Sequence, residues 1–199
     1  VIGTFSMVAT YSLFYIMTAF AQAYSRTPAT LSEAGYPMGL GIPANTFTGL
    51  LLMSAIVFAI FISISGLYAD KIGRRKWLIW TTVSILIFAL CMPLFLGNGT
   101  PASVFAFLVI GMALMGMTFG PMAALLPELF PTEVRYSGAS LAYNIASIIG
   151  ATIAAMISLK INALYGLMGV GIYLAINAFL TLLALLASKE TKNVDLTQI

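Results

Sequence analysis

The chain has 199 residues, of which 61% are hydrophobic and 8% charged, and it contains no histidine. A soluble domain carries about 25% charged residues, so most of this surface is not built to face water, and a count of membrane spans is a better guide than a count of soluble domains. The formal net charge of +3 acquires meaning only once the charges are placed along the chain.

Six apolar stretches are long enough to cross a bilayer, at about 20 residues or ~30 Å of helix each. They run over 2–23, 46–67, 77–96, 102–126, 139–159 and 164–187. Each reads as a helix, because a lone span must satisfy its own backbone hydrogen bonds in lipid and no period-two alternation is present. The chain begins at Val1 directly in hydrophobic sequence, without a signal-peptide n-region, and reads as part of something longer. On the first span Thr4, Tyr11, Tyr15, Thr18 and Gln22 recur at helical spacing as one polar stripe. The segment that follows, "AYSRTPATLSEAGYPMGLGIPA", has three prolines and three glycines and breaks the helix. The single cysteine, Cys91, excludes an internal disulfide and lies in the apolar third span as a small buried residue. "GNGTPA" separates the third and fourth spans, with Thr100 placed to cap and Pro101 at the first helical position. Asn98-Gly99-Thr100 fits a glycosylation acceptor but reads as an ordinary turn. The fourth span carries Gly111, Gly116, Gly120 and Pro121 among four methionines. Gly116, Gly120 and Pro121 form a candidate hinge, since such residues permit a bend where the freed backbone meets a cavity or a neighbouring helix. The fifth span places Ser140, Asn144 and Ser147 on one face with Tyr143 beside them, and Gly150 and Ala154 as a close-packing pair.

The charges are concentrated. Asp70, Lys71, Arg74, Arg75 and Lys76 fall within seven positions after the second span. With six spans, Lys71, Arg74, Arg75, Lys76, Arg135, Lys189 and Lys192 share one side, against Arg26 and Lys160 on the other. The positive-inside rule puts the first side, and both chain ends, in the cytoplasm. Asp70, Glu128, Glu133, Glu190 and Asp195 lie on that side too, and no charge falls near the middle of a span.

A positive-inside anchor accounts for the cations but leaves Gly66, Asp70 and Gly73 unexplained. The pattern Gly66-x-x-x-Asp70-Lys71-x-Gly73-Arg74-Arg75 resembles the cytoplasmic loop signature of the major facilitator superfamily, found between the second and third helices of each six-helix half. "PELFPTEVRYSG", with Glu128 and Arg135 seven residues apart, resembles the Glu-x6-Arg element that the superfamily places after the fourth helix of a half. The wording of "LPELFPTEVRYSGASLAYNIASIIG" further resembles the metabolite:proton symporter family. The fold class implied is an all-α membrane protein, six transmembrane helices forming the C-terminal half of a twelve-helix fold, with the N-terminal half absent from this sequence and residues 188–199 a cytoplasmic tail.

The resemblance implies secondary active transport of a small organic metabolite across a bacterial inner membrane, with protons as coupling ion. Gly66, Asp70, Lys71, Gly73, Arg74 and Arg75 are then a cytoplasmic gate motif, with Glu128 and Arg135 its partners. Asp70 is expected near the N-terminus of the fifth span, where free backbone N–H groups carry partial positive charge, and Gly66 to let spans two and five approach. Arg74 or Arg75 is expected to pair with Glu128, and Arg135 with Asp70 or Glu128. In this architecture the first helix lines a central cavity, so Tyr11, Tyr15, Tyr143 and Asn144 are candidate cavity-lining residues.

No cofactor or metal is expected: there is no cysteine pair, no histidine and no Walker glycine loop. Nothing suggests a nucleic-acid partner; the expected partners are the metabolite, protons, membrane lipid and either the other half or a second copy. The fit to an enzyme is poor without a nucleophile–base pair. A transporter-like sensor, or a truncated half without activity, is the competing reading. The ending "SKETKN" only loosely resembles a sugar-porter motif and carries no sugar specificity.

Overall fold

Hydropathy and breakers together predict long helices joined at glycine and proline, and the computed structural model, which describes residues 2–188, has this character. Helix α1 (Ile2–Tyr15) runs through a π turn (Ile16–Phe20) into α2 (Ala21–Arg26). After an irregular segment come α3 (Ala44–Ile72), α4 (Arg74–Leu90), the short α5 (Met92–Leu96) and α6 (Pro101–Glu128). A 3-10 turn (Thr132–Val134) leads to α7 (Arg135–Ser147), a second π turn (Ile148–Thr152) and α8 (Ile153–Ala187).

Among the described residues four helical stretches are long and apolar enough to cross a membrane: Gly3–Arg26, Ala44–Ile72, Pro101–Glu128 and Met156–Ala187. The chain is a membrane protein. The other two predicted spans differ from expectation. The third is interrupted at Cys91, whose N–H is shared between the carbonyls of Ile87 and Phe88, and Pro93 follows at once. The fifth is α7 plus its π turn, and it runs on into α8. The predicted gap at 160–163 is helical instead, so Lys160 lies within α8, and the break falls at Gly166 (φ 68°, ψ −171°). That backbone excludes side chains with a Cβ, and the Tyr36 ring packs directly against the glycine.

Local sequence explains the other ends. Thr100 caps α6 by accepting the Ser103 N–H at 3.2 Å, with Pro101 at the first helical position. Gly73 turns α3 into α4 at φ 111° and ψ 128°, a conformation open to glycine alone.

Two groups of contacts define two ends of the bundle. At one, the loop end, the segment 27–43 folds back on itself through Met38 N–H to Thr30 O (2.8 Å) and Ser32 N–H to Tyr36 O (2.8 Å). Asn162 Nδ2 donates to Pro37 O at 2.9 Å, tying α8 to that loop. At the other, the charged end, the α3–α4 turn meets the C-termini of α6 and α8.

Helix α1 is the most enclosed element, buried among α6, α7 and α8. Leu13, Ile16, Phe20, Phe107, Leu108 and Leu174 form the core beside it. Two residues of α8 hydrogen-bond to it. Asn177 Nδ2 donates to Ser12 Oγ at 3.0 Å. The Thr181 hydroxyl donates to Phe5 O at 2.7 Å and accepts the Ala9 N–H at 3.0 Å, bridging the two groups an α-helix ordinarily bonds to each other. Helix α3 is the opposite case. It packs chiefly on α6, and Leu52, Met53, Ile56, Ile60 and Ile64 stand exposed at helical spacing on its far side.

The α3–α6 contact is close because of Gly116 and Gly120. A Cβ on Gly116 would lie 2.7 Å from Phe58 O, and one on Gly120 would lie 2.7 Å from Ile62 O. Small residues four apart let two helix backbones approach in this way. Of the candidate hinge residues, Gly116 and Gly120 thus form a packing seam in this structure, and α6 continues helical past Pro121. Gly150 meets α1 likewise, against Tyr11 and Val8.

Candidate functional site

The charged loop forms around the Gly73 turn. Because α3 ends and α4 begins within a few residues, Asp70 and Arg74 sit one helical turn apart across it, and Arg74 Nε donates to Asp70 Oδ1 at 3.1 Å. Arg74 Nη1 also donates to Glu128 Oε1 at the end of α6. The Glu128 side chain is 13% exposed and Asp70 64%, so the Glu128 contact is the desolvated one. Burial works against the Arg74 charge, but the hydrogen bonds from Glu128 and Asp70 outweigh it and hold the guanidinium above its ordinary range. Glu128 Oε2 is buried without a hydrogen-bond partner.

Arg75 does something else. Its Nε and Nη2 donate to the carbonyls of Leu185 and Leu186 at 2.8 and 2.7 Å. These carbonyls belong to the last turn of α8, where Leu185 O also accepts from the Ser188 hydroxyl at 2.8 Å, and a cation there meets the negative end of the helix dipole. Lys71 lies 6.0 Å from the Tyr68 ring centre, and Tyr68 stacks on Trp77.

Several expected contacts are absent or differently made. Asp70 bonds within its own hairpin and not to the N-terminus of α7. A Cβ on Gly66 would meet nothing within 4 Å, so no close approach of α3 to the fifth span occurs there; α3 lies on α6 instead. Arg135 pairs with neither Asp70 nor Glu128. It reaches Phe130 O (3.4 Å) and Thr132 Oγ1 (3.2 Å) within its own turn.

A cavity of about 620 Å³ opens beside this end between α1, α6 and α7. Met7, Phe119, Met122 and Leu126 make an apolar wall, and Arg135, Ser140 and Tyr143 a more polar one. Of the four candidate cavity residues only Tyr143 lines it. Tyr11 is buried behind Tyr143, edge to face at 5.4 Å between ring centres. Tyr15 packs on Phe14 instead. Asn144 is exposed and turned back on its own helix, donating to Ser140 O at 2.8 Å. The π turn at Ile16–Phe20 also interrupts the register of the first-span stripe, and Thr18 bonds back to Phe14 O.

Over residues 38–199 the chain matches the family described as Sugar (and other) transporter. It belongs to that family, within the major facilitator superfamily. Its relatives include a Haemophilus influenzae protein named, provisionally, a metabolite transport protein, 86% identical over the whole chain and 45% of the relative. The Escherichia coli inner membrane metabolite transport protein YhjE is 52% identical over 98% of the chain and 43% of its own length. A proline/betaine transporter of Salmonella typhimurium is 32% identical over 73% of the chain and 29% of the relative. The chain thus spans less than half the length of these relatives. No solved structure matches it. The family is one of transporters and not of enzymes.

Two contacts of this chain went unread in the sequence: Arg75 on the end of α8, and Trp77, whose indole Nε1–H donates to Met117 O at 3.0 Å. The signal for the second was Pro121, which leaves the Met117 carbonyl without its helical donor.

Proposed function

We propose that this chain is the C-terminal six-helix half of a twelve-helix secondary transporter that carries a small organic metabolite across the inner membrane by alternating access. The observation that carries the reading is the convergence at the charged end, where Asp70, Arg74 and Glu128 join the α3–α4 turn to α6 while Arg75 joins it to α8. Both chain ends are assigned to the cytoplasm by the distribution of lysine and arginine; the tail, with Lys189 and Lys192, lies outside the described residues. The names of the relatives support a metabolite as cargo.

In this reading the charged end is a latch that holds the cytoplasmic side shut while the central cavity of the whole transporter, distinct from the pocket beside Arg135, faces outward. Gly66, Asp70, Lys71, Gly73, Arg74 and Arg75 shape it, with Glu128 the carboxylate that receives Arg74. Arg135 braces the turn at 130–132 and leaves its guanidinium at the rim of that pocket. Such contacts are each worth about 0–1 kcal/mol when exposed, so several together are strong enough to close the latch and weak enough to reopen it. Transport is coupled to protons. The described carboxylates, Glu33, Asp70, Glu128 and Glu133, all lie outside the apolar middle of the helices, and in this reading the coupling acid belongs to the remainder of the protein.

The test is uptake by the full-length protein in proteoliposomes with and without an inward proton gradient. Gradient-driven uptake that is lost in Asp70→Asn, with insertion unchanged, is the expected result. Full uptake in Asp70→Asn overturns the latch, and absence of uptake by the natural protein favours a sensor.

A further inference from the structure

Helix α6 is held by both arms of the α3–α4 hairpin at adjacent carbonyls. Ser65 Oγ of α3 donates to Gly116 O at 3.0 Å, and Trp77 Nε1 of α4 donates to Met117 O at 3.0 Å. The two are not equivalent. Gly116 O also has a helical donor available at Gly120, whereas the donor for Met117 O would be residue 121, a proline without an N–H. The Trp77 indole thus fills a place that the α6 main chain leaves empty. It is held for that purpose, stacked on Tyr68 with ring centres 6.0 Å apart and planes 19° apart. One turn earlier on α4, Arg74 grips Glu128, seven residues beyond Pro121. The first turn of α4 therefore holds α6 on both sides of the proline, at a carbonyl before it and a carboxylate after it.

We propose that Trp77 is a positioning residue of the transport cycle: it fixes the fulcrum at Met117, so that when the Arg74–Glu128 contact opens, residues 122–128 swing about Pro121 while the preceding part of α6 stays with α3 and α4. This rests on the transport reading above. The hydrogen bond supplies the donor that proline lacks; the ion pair supplies the release. Trp77 does not line the cavity, and it acts on rate through α6.

The experiment uses full-length protein carrying Trp77→Phe, Pro121→Ala, or both, with Trp80→Phe as control for loss of an indole on the exposed side of α4. The net worth of one hydrogen bond corresponds to about a three- to tenfold change in an equilibrium. Trp77→Phe is accordingly expected to lower the maximal uptake rate by about three- to tenfold with KM little changed. In the Pro121→Ala background residue 121 supplies its own N–H to Met117 O, so the Trp77→Phe effect should shrink to near nothing. Labelling with 5-fluorotryptophan gives a readout independent of uptake: the ¹⁹F resonance lost in Trp77→Phe should shift in Pro121→Ala. An equal Trp77→Phe effect in both backgrounds, or unchanged uptake, overturns the proposal and makes Trp77 a packing residue. If the natural protein carries no solute, the transport reading fails by itself. The bond is then judged by the ¹⁹F shift and by the coupling of the two substitutions in thermal midpoint, and absence of both overturns it.

Discussion

Placing a methyl group on Gly120 tests the α3–α6 seam. A Cβ there would lie 2.7 Å from Ile62 O and 3.1 Å from Gly66 N, and would also strike Ser65 Oγ. Ordinary contact begins near 3.4 Å, so α3 must withdraw by about 0.7 Å at this point. Two of the three obstacles are main-chain atoms, which cannot rotate aside. Overpacking of this kind costs about 1–3 kcal/mol. The same withdrawal stretches the 3.0 Å bond from Ser65 Oγ to Gly116 O, a contact worth about 0.5–1.5 kcal/mol. Against this stands the gain of alanine over glycine in a helix, about 0.5–1 kcal/mol. The balance for Gly120→Ala is a loss of about 1–3 kcal/mol. Gly49 on α3 is the control, because a Cβ there meets nothing within 4 Å and only the helix gain remains. Thermal unfolding of the purified full-length protein in detergent should move the two variants in opposite directions. If Gly120→Ala matches or exceeds the wild-type midpoint, the close approach of the two backbones is refuted.

Three other sets of substitutions are informative by thermal unfolding, one of them by amide exchange as well. Arg74→Gln should destabilise by about 1–2 kcal/mol more than Glu128→Gln, because it strands a desolvated carboxylate at the negative end of α6, whereas Glu128→Gln leaves Arg74 bonded to Asp70; equal losses would refute that asymmetry. The raised Arg74 pKa keeps the contribution of this guanidinium fully present below its unfolded value and lost only as pH climbs through the folded one. These midpoint differences should therefore not change sign between neutral and mildly acidic buffer. Thr181→Val should cost about 1–2 kcal/mol and speed amide exchange at Ala9, while Thr181→Ser keeps most of both; unchanged exchange in the valine variant would remove the bridge to α1. Gly73→Ala, which forces a Cβ onto φ 111°, should cost about 1–3 kcal/mol, and a neutral result would mean that the α3–α4 turn is not held as described.

What could be read from the sequence followed from local rules. Apolar length located the helices, Thr100 and Pro101 marked the start of α6, and Gly150 marked a close contact. The spacing of Gly66, Asp70 and Gly73 pointed to a built loop. What could not be read depended on partners far along the chain. Thr181 and Asn177 look like incidental polar residues in an apolar helix, and only their distance of some 170 positions from Phe5, Ala9 and Ser12 in sequence, closed by folding, gives them a role. Arg75 was grouped with Arg74 because neighbouring cations look alike, yet successive helical residues point about 100° apart, and the two reach different helices. The break in α8 was placed too early because Gly166 lies inside an apolar run with no charge or proline to announce it. Asn144 was assigned to a cavity on polarity alone, and its own helix satisfied it.

The two ends of the bundle are fastened by different chemistry, and this makes them separable by solvent alone. The loop end is closed by main-chain pairs within 27–43 and by an amide on Pro37 O, neutral contacts that dissolved salt hardly weakens. The charged end is closed by guanidinium groups at 74 and 75, whose attraction for carboxylate and helix terminus is screened over a Debye length of about 10 Å at 0.1 M and far less at 1 M. Ionic strength is thus a lever on one end only, and raising it should loosen the side with the arginines while the opposite side stays shut.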